Sequence, residues 1–376
     1  MEEYFNTSAV PFWDIAVNGD EGWVCDDFFS ALFHVDLKTM EINFVTMLPA
    51  EEQLYLTRYA SIEYYKGKLV IGPSFEKKAV IYELDSKKIV EIPLEFDVNA
   101  DDIFWAFQSL KVLGNKAFLL PGTNKKIAVI DLDSYSVSYL EVADIVREKE
   151  KSIPKYAFFY KSQAYNGRIV LPSSDLNNLI VLDANEMKVG ILQLGKKIKT
   201  KVVTLYKNEL WAVDDKTREI ILFKNNKEEL VLNPVNEDIG FMEGFGYRGL
   251  IRYGDMLFIF PFKSRFIYTY NLNTKEYKKI YTFPTEFENE RFRMGDNTIK
   301  CLKQVSDKEV IMYSAYDASI LILNMETLEI TKNRSFIDNE QKRKIDKILY
   351  DVASKNESFI FYETDKCGVR DLLDIV

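Results

Sequence analysis

The chain has one histidine in 376 residues. That excludes metal centres built on several imidazoles, the usual zinc, copper and non-haem iron arrangements. Its three cysteines, Cys25, Cys301 and Cys367, stand far apart and form no CxxC. Neither a disulfide framework nor a structural zinc is expected, and a reducing compartment suits such usage. No apolar run approaches the ~18 residues that cross a bilayer. The opening MEEYFNTSAV has no basic n-region and no apolar h-region, so the expectation is a cytoplasmic protein without a signal peptide or membrane insertion. A basic excess is also lacking. Lys and Arg number 49 against 58 Asp and Glu, a net charge of −9, which argues against a dedicated nucleic-acid binder. Gly-rich phosphate loops, Walker motifs and dinucleotide fingerprints are absent, and no cofactor is expected.

What the chain does have is apolar and aromatic residues, 47% and 14% of the total. Disorder is excluded and a sizeable core can form. The length allows two or three domains or one large repeat fold. The apolar residues come in short runs broken by hairpin signals: Asn18-Gly19, Lys66-Gly67, Gly114-Asn115, Asn166-Gly167, Lys207-Asn208, Gly254-Asp255 and Ser306-Asp307. An apolar strand follows each, indexed by Trp23, Val70, Phe118, Val170, Trp211, Phe258 and Ile311, at intervals of 47, 48, 52, 41, 47 and 53 residues.

A second marker stands thirteen residues after every index: Asp36, Glu83, Asp131, Asp183, Lys224, Asn271 and Asn324. The offset is constant while the period varies, so a fixed-length hairpin alternates with variable loops. The columns nine, ten and twelve residues after the index hold only apolar or aromatic residues in all seven copies; composition alone predicts about half. Consecutive apolar residues indicate strands buried on both faces.

A strand-rich repeat of about 40–50 residues is the mark of a β-propeller blade. The repeat resembles the generic bacterial propeller repeat of the YVTN type. Thr123–Val142, containing Lys126-Ile127-Ala128-Val129-Ile130-Asp131, is the most similar stretch, followed by Asn178–Gly195. Repeated Gly-His and Trp-Asp pairs, Gly-Gly pairs, Asp boxes and PQQ-type repeats are missing, so the resemblance implies fold alone. The expectation is an all-β, seven-bladed propeller of four-stranded antiparallel blades over 1–336. In the first blade the strands fall near 12–17, 22–26, 31–36 and 40–47. The competing architecture, a pair of β-sandwich domains, leaves the constant hairpin unexplained.

Residues 337–376 read as a helix–strand–helix tail, packed on the propeller or extending from it. Asp338 caps a helix to about Ser354, with Ile345, Ile348, Leu349 and Val352 as its apolar stripe. Ser358–Glu363 reads as a strand, and Val369, Leu372, Leu373 and Val376 as an amphipathic last turn. Residues 3–8 are candidates to pair beside the last blade, although the sequence does not fix how the ring closes.

Function belongs to the long inter-blade loops on one face. Arg58-Tyr59, Tyr160-Lys161 and Tyr247-Arg248 lead into innermost strands, with Lys201 and Lys300 in nearby columns. Together they would ring the channel with cations, which suits a carboxylate, phosphate or anionic sugar; the alternative is pairing with nearby acids. Trp105 is among the face aromatics that suit protein or sugar contacts. Phe107 and Trp13 are others. His34 falls in an apolar strand column, which removes the imidazole base from consideration. Asp26-Asp27 and Asp214-Asp215 read as hairpin turns, with acid/base work or Ca²⁺ binding as the alternative. The leading functional reading is a non-catalytic platform for a protein or glycan partner. The alternative is a histidine-independent lyase, lactonase or glycosidase acting on an anionic or sugar-like molecule, with Arg58, Lys161, Arg248 and a carboxylate in one pocket.

Overall fold

The computed structural model describes residues 10–26, 30–50, 58–96, 106–122, 124–142, 162–172, 179–233, 247–262, 264–284 and 298–355, with side chains to 348. It contains seven four-stranded antiparallel sheets, each made of four consecutive strands. The blades span 15–47, 59–93, 107–141, 163–192, 203–232, 247–282 and 299–334. The chain is a seven-bladed β-propeller. In the first blade the strands are Ile15–Asn18, Glu21–Cys25, Ala31–Asp36 and Ile42–Met47. The innermost strand starts later than its apolar pattern suggests. Pro11 has no N–H to give to a ladder, and the Asp14 carboxylate takes the Ile15 N–H at 3.0 Å.

The constant offset has a simple cause in strand register. Each index residue pairs with the residue eleven positions later: Trp23 with His34, Val70 with Ile81, Phe118 with Val129, Val170 with Val181, Trp211 with Leu222, Phe258 with Thr269 and Ile311 with Ile322. Successive side chains point to opposite sheet faces, and here each face meets a neighbouring blade. Val24 packs into the cluster shared with the last blade, while Trp23 and Cys25 pack against the second. One hydrophobic cluster fills each of the seven interfaces, including that between blades 7 and 1. The ring is closed.

The marker column turns the chain. Asp36, Asp131, Asp183, Asn271 and Asn324 each accept backbone N–H groups from two and three residues ahead at 2.8–3.1 Å. These are Asx turns. The residue four positions on takes a positive φ in each: Met40, Tyr135, Met187, Lys275 and Leu328. Blade 5, with Lys224 at the marker, instead turns through Asn225 and Asn226, both at positive φ, as a tight two-residue hairpin does.

The N–H three residues on is the main reason the Asp36, Asp131 and Asp183 carboxyls lie below the ordinary aspartate value. Their contribution to stability is present above the unfolded value of about 3.9 and is lost as pH falls through the depressed native one. Blades 6 and 7 make the same turn with Asn, which does not titrate. The triple variant Asp36→Asn/Asp131→Asn/Asp183→Asn is therefore expected to lose less stability between neutral and strongly acid pH than the wild type. Urea midpoints across that range measure it.

Blades 7 and 1 are joined without an exchanged strand among the described residues. Val10 N–H donates to Ser335 O at 3.2 Å, Phe12 packs on Tyr313 with ring centroids 4.7 Å apart, and Asn333 donates to Thr39 O at 3.4 Å. Helix α1 (Asn339–Lys355) lies against this seam. Asp338 caps it, accepting the Gln341 N–H at 2.8 Å. Ile345 is fully buried in the cluster of blades 7 and 1. Gln341 accepts the Phe44 N–H at 2.6 Å and donates to Asn43 at 2.8 Å, which covers part of an open sheet edge. The expected tail strand and last turn, and residues 3–8, lie outside the described residues. Among the described residues no helix is long and apolar enough to cross a membrane.

Candidate functional site

The innermost strands place one residue from each blade in the register position opposite the index: Ala16, Glu63, Lys111, Gln163, Thr204, Ile251 and Lys303. Three of these are charged, and Asp14 joins them from the start of blade 1. Lys303 Nζ lies 3.3 Å from Asp14 Oδ1 and 3.1 Å from Glu63 Oε2, and donates to Ile62 O at 3.2 Å. Lys111 Nζ lies 3.5 Å from the other Glu63 oxygen. Asp14 also accepts the Ile62 N–H at 3.2 Å. The network ties blades 7, 1, 2 and 3 across the axis. Burial alone would push the Lys303 ammonium toward its neutral form. Asp14 and Glu63 outweigh that and hold its pKa above the ordinary lysine value.

Around this network lies an axial cavity of about 380 Å³. Its charged walls come from blades 7, 1, 2 and 3, and from blade 6 through Arg248. Val203, Leu250, Ile251 and Leu302 give it an apolar side, and Ser and Gln side chains fill much of the remainder. Arg248 stands where the chain enters the innermost strand of blade 6 (Tyr247–Tyr253). Pairing there shifts between Tyr247–Pro261 and Gly249–Phe260, so Arg248 is the extra residue of a β-bulge. Bulges re-aim side chains beside functional sites, and this one sets the guanidinium on the cavity wall. Arg248 lies 5.5 Å from the Trp13 ring centre and 5.9 Å from that of Phe262, and donates to Lys300 O. Lys300 Nζ is 5.3 Å from the same Trp13 ring. A Cβ at Gly249 would stand 2.4 Å from Leu302 Cδ2 and would push that side chain of blade 7 aside.

Of the residues singled out in sequence, Arg248 lines the cavity. Arg58 does not. Its side chain is 9% exposed and lies 3.3 Å from the buried Glu76 carboxylate, with a further bond to Phe75 O at 3.2 Å. The chain reverses just after the second strand and brings Glu76 under it, so the cation is spent on an internal pair. Tyr59 is buried and donates to Pro49 O; burial pushes its hydroxyl up. Tyr247 fills the cluster between blades 5 and 6. Lys201 is half-exposed and off the cavity wall. Trp105, Tyr160 and Lys161 lie outside the described residues. Phe107 is buried between blades 2 and 3, whereas Trp13 lines the cavity.

His34 sits on its strand beside Trp23, with ring centroids 5.7 Å apart, and its Nε2 meets the Glu21 carboxylate, away from the axis. Cys25 and Cys301 are buried, and burial, reinforced by Asp14 and Asp26, pushes the Cys25 thiol up. Asp214 caps a turn, accepting the Lys216 and Thr217 N–H groups at 2.9 and 3.3 Å. Asp27 lies outside the described residues. Among the described residues, no group of three or more His, Cys, Asp or Glu side chains is arranged to hold a metal ion.

Sequence reasoning missed Asp14, Glu63, Lys111 and Lys303. A usable signal exists. Glu63 and Lys111 stand seven residues before their indices and Lys303 eight before, as charged residues in nearly the same column of the first strand of their repeats.

The chain matches no protein-family model and no curated protein sequence. It is similar in structure to virginiamycin B lyase from Staphylococcus aureus, at 11% identity over 83% of this chain and 94% of that one, with a TM-score of 0.59. It is similar to YCF48 bound to the D1 peptide, at 10% identity over 89% and 93%, TM-score 0.58. A third is Kluyveromyces lactis Hsv2, at 11% identity over 87% and 100%, TM-score 0.52. What these proteins share with the chain is the propeller. At such identity the likeness shows the fold alone.

Proposed function

We propose that this protein is a binding propeller whose axial cavity receives an anionic, hydrogen-bonding group carried by a protein or glycan partner, with no reaction performed on it. The observation that carries this reading is the fixed charge network. Both cavity carboxylates already accept from lysines, and Asp14 also accepts from two backbone N–H groups. Each carboxylate is thereby held in one orientation as a fixed acceptor, with sites left for a ligand's donors, since a carboxylate can take about four hydrogen bonds. Fixed, pre-oriented charges suit recognition. YCF48, a propeller of similar structure, is bound to a peptide, which supports reading the fold as a platform. The lyase among the similar structures supports the alternative, but the described cavity supplies no imidazole to such chemistry.

The test is a peptide and glycan array probed with the wild type and with Lys111→Gln. Lys111 is partly exposed on the cavity wall, so this variant removes a cation without opening the core. Ligands seated in the cavity should lose about tenfold or more in affinity, near 1.4 kcal/mol, and weaken further with added salt. Turnover of a captured ligand by the wild type would overturn the reading.

A further inference from the structure

We infer that the group the axial cavity takes is a sugar acid: one hydroxylated ring bearing a single carboxylate. This rests on the cavity's being a recognition site and names its ligand class.

The wall has more neutral hydrogen-bonding side chains than an ion site needs. Ser61, Ser109, Ser162, Gln163, Thr204 and Gln304 all face the cavity, and Ser109 and Ser162 join hydroxyl to hydroxyl at 2.9 Å. Hydroxyls and amides both donate and accept, as ring hydroxyls of a sugar do. A bare carboxylate only accepts, and here it would face Asp14 and Glu63, which also only accept. Those two carboxylates are suited to hydroxyl donors.

The cations fit the same ligand. Lys111, Arg248 and Lys303 line the cavity, and a carboxylate on the ligand can accept charge-assisted bonds from such groups. Val203 and Leu250 are buried between blades, which leaves Ile251 and Leu302 as the apolar surface on that side of the cavity, enough for a C–H edge of a pyranose. A volume of about 380 Å³ lies at the small end of ligand pockets, which run to about 1,000 Å³, and holds one ring with bridging waters.

The experiment is calorimetric titration of the full chain with D-glucuronate, D-galacturonate, D-glucose, acetate and a short acetylated peptide with a free C-terminal carboxylate. At least one uronate is expected to bind tenfold or more tightly than both glucose and acetate. Lys111→Gln should erase the margin over glucose. Ser109→Ala, a small change, should weaken uronate and glucose together by about threefold or more. Thermal unfolding of each variant confirms that it is folded. Peptide or acetate binding as tight as any uronate, and dependent on Lys111, overturns the sugar class while leaving an anion-binding cavity in place. Absence of saturable binding by every anion overturns both. Uronate binding that Lys111→Gln and Ser109→Ala leave unchanged removes the ligand from this cavity and overturns the inference as well.

Discussion

Arg58→Met is expected to lower the unfolding free energy by about 3–5 kcal/mol, because it strands the buried Glu76 carboxylate without its cation. Both partners are withdrawn from water, with side chains 9% and 4% exposed. Taking one charge away leaves the full desolvation cost of the other. The double variant Arg58→Met/Glu76→Leu should regain most of the loss, since replacing a buried pair by apolar groups of similar volume is often neutral or stabilising. Chemical denaturation of the two single variants and the double one tests this as a thermodynamic cycle. A loss in the double variant equal to the sum of the two single losses would show that the pair does not act as a unit. Ligand binding adds a second readout. Arg58 lies off the cavity wall, so the double variant should bind any cavity ligand as the wild type does, whereas Lys111→Gln should not.

Lys303→Met should be comparably costly at neutral pH, about 3–5 kcal/mol, and should carry a distinct pH signature. Lys303 stands between Asp14 and Glu63. Without it the two carboxylates face each other, and Lys111 touches only the second. Lowering the pH from about 7 toward 4 should restore part of the lost stability, because protonating either carboxylate removes the repulsion. In the wild type the sign at high pH is fixed by the raised Lys303 value. Its contribution is complete below the unfolded lysine value of about 10.4 and is lost as pH rises through the higher native one. Urea midpoints of both proteins from acid to alkaline pH measure the two limbs. A variant whose stability falls with acid as steeply as the wild type would count against the network.

The ring was legible in the sequence because its main determinants are local. Hairpin register fixes an offset that no loop insertion can change, and the Asx turn writes Asp or Asn at its corner, as at Asp36 and Asn271. Asp338 ahead of Gln341 announced the helix in the same way. The candidate site was less legible because its geometry is not local. Arg58 and Glu76 are separated by a whole hairpin, and nothing in either residue's neighbourhood says that they meet. Arg248 is placed by a bulge, a one-residue shift of pairing that apolar periodicity does not record. Glu63, Lys111 and Lys303 resemble the solvent-facing half of an alternating strand. Only the ring's closure turns them inward onto one another.

Since every sheet is assembled from consecutive strands, six junctions between blades carry a covalent tether and the seventh carries none. Two of the tethered junctions also have a main-chain bond close to the axis, Ala106 N to Ser74 O and Thr298 N to Phe262 O. Among the described residues, the junction of blades 7 and 1 is held by the Val10–Ser335 bond, side-chain packing, the Lys303–Asp14 pair and the clasp of α1. The molecule is mechanically a split washer. Widening of that one gap would break no peptide bond, and it would draw Lys303 away from Asp14, so the shape of the cavity and the grip of the clasp are mechanically coupled.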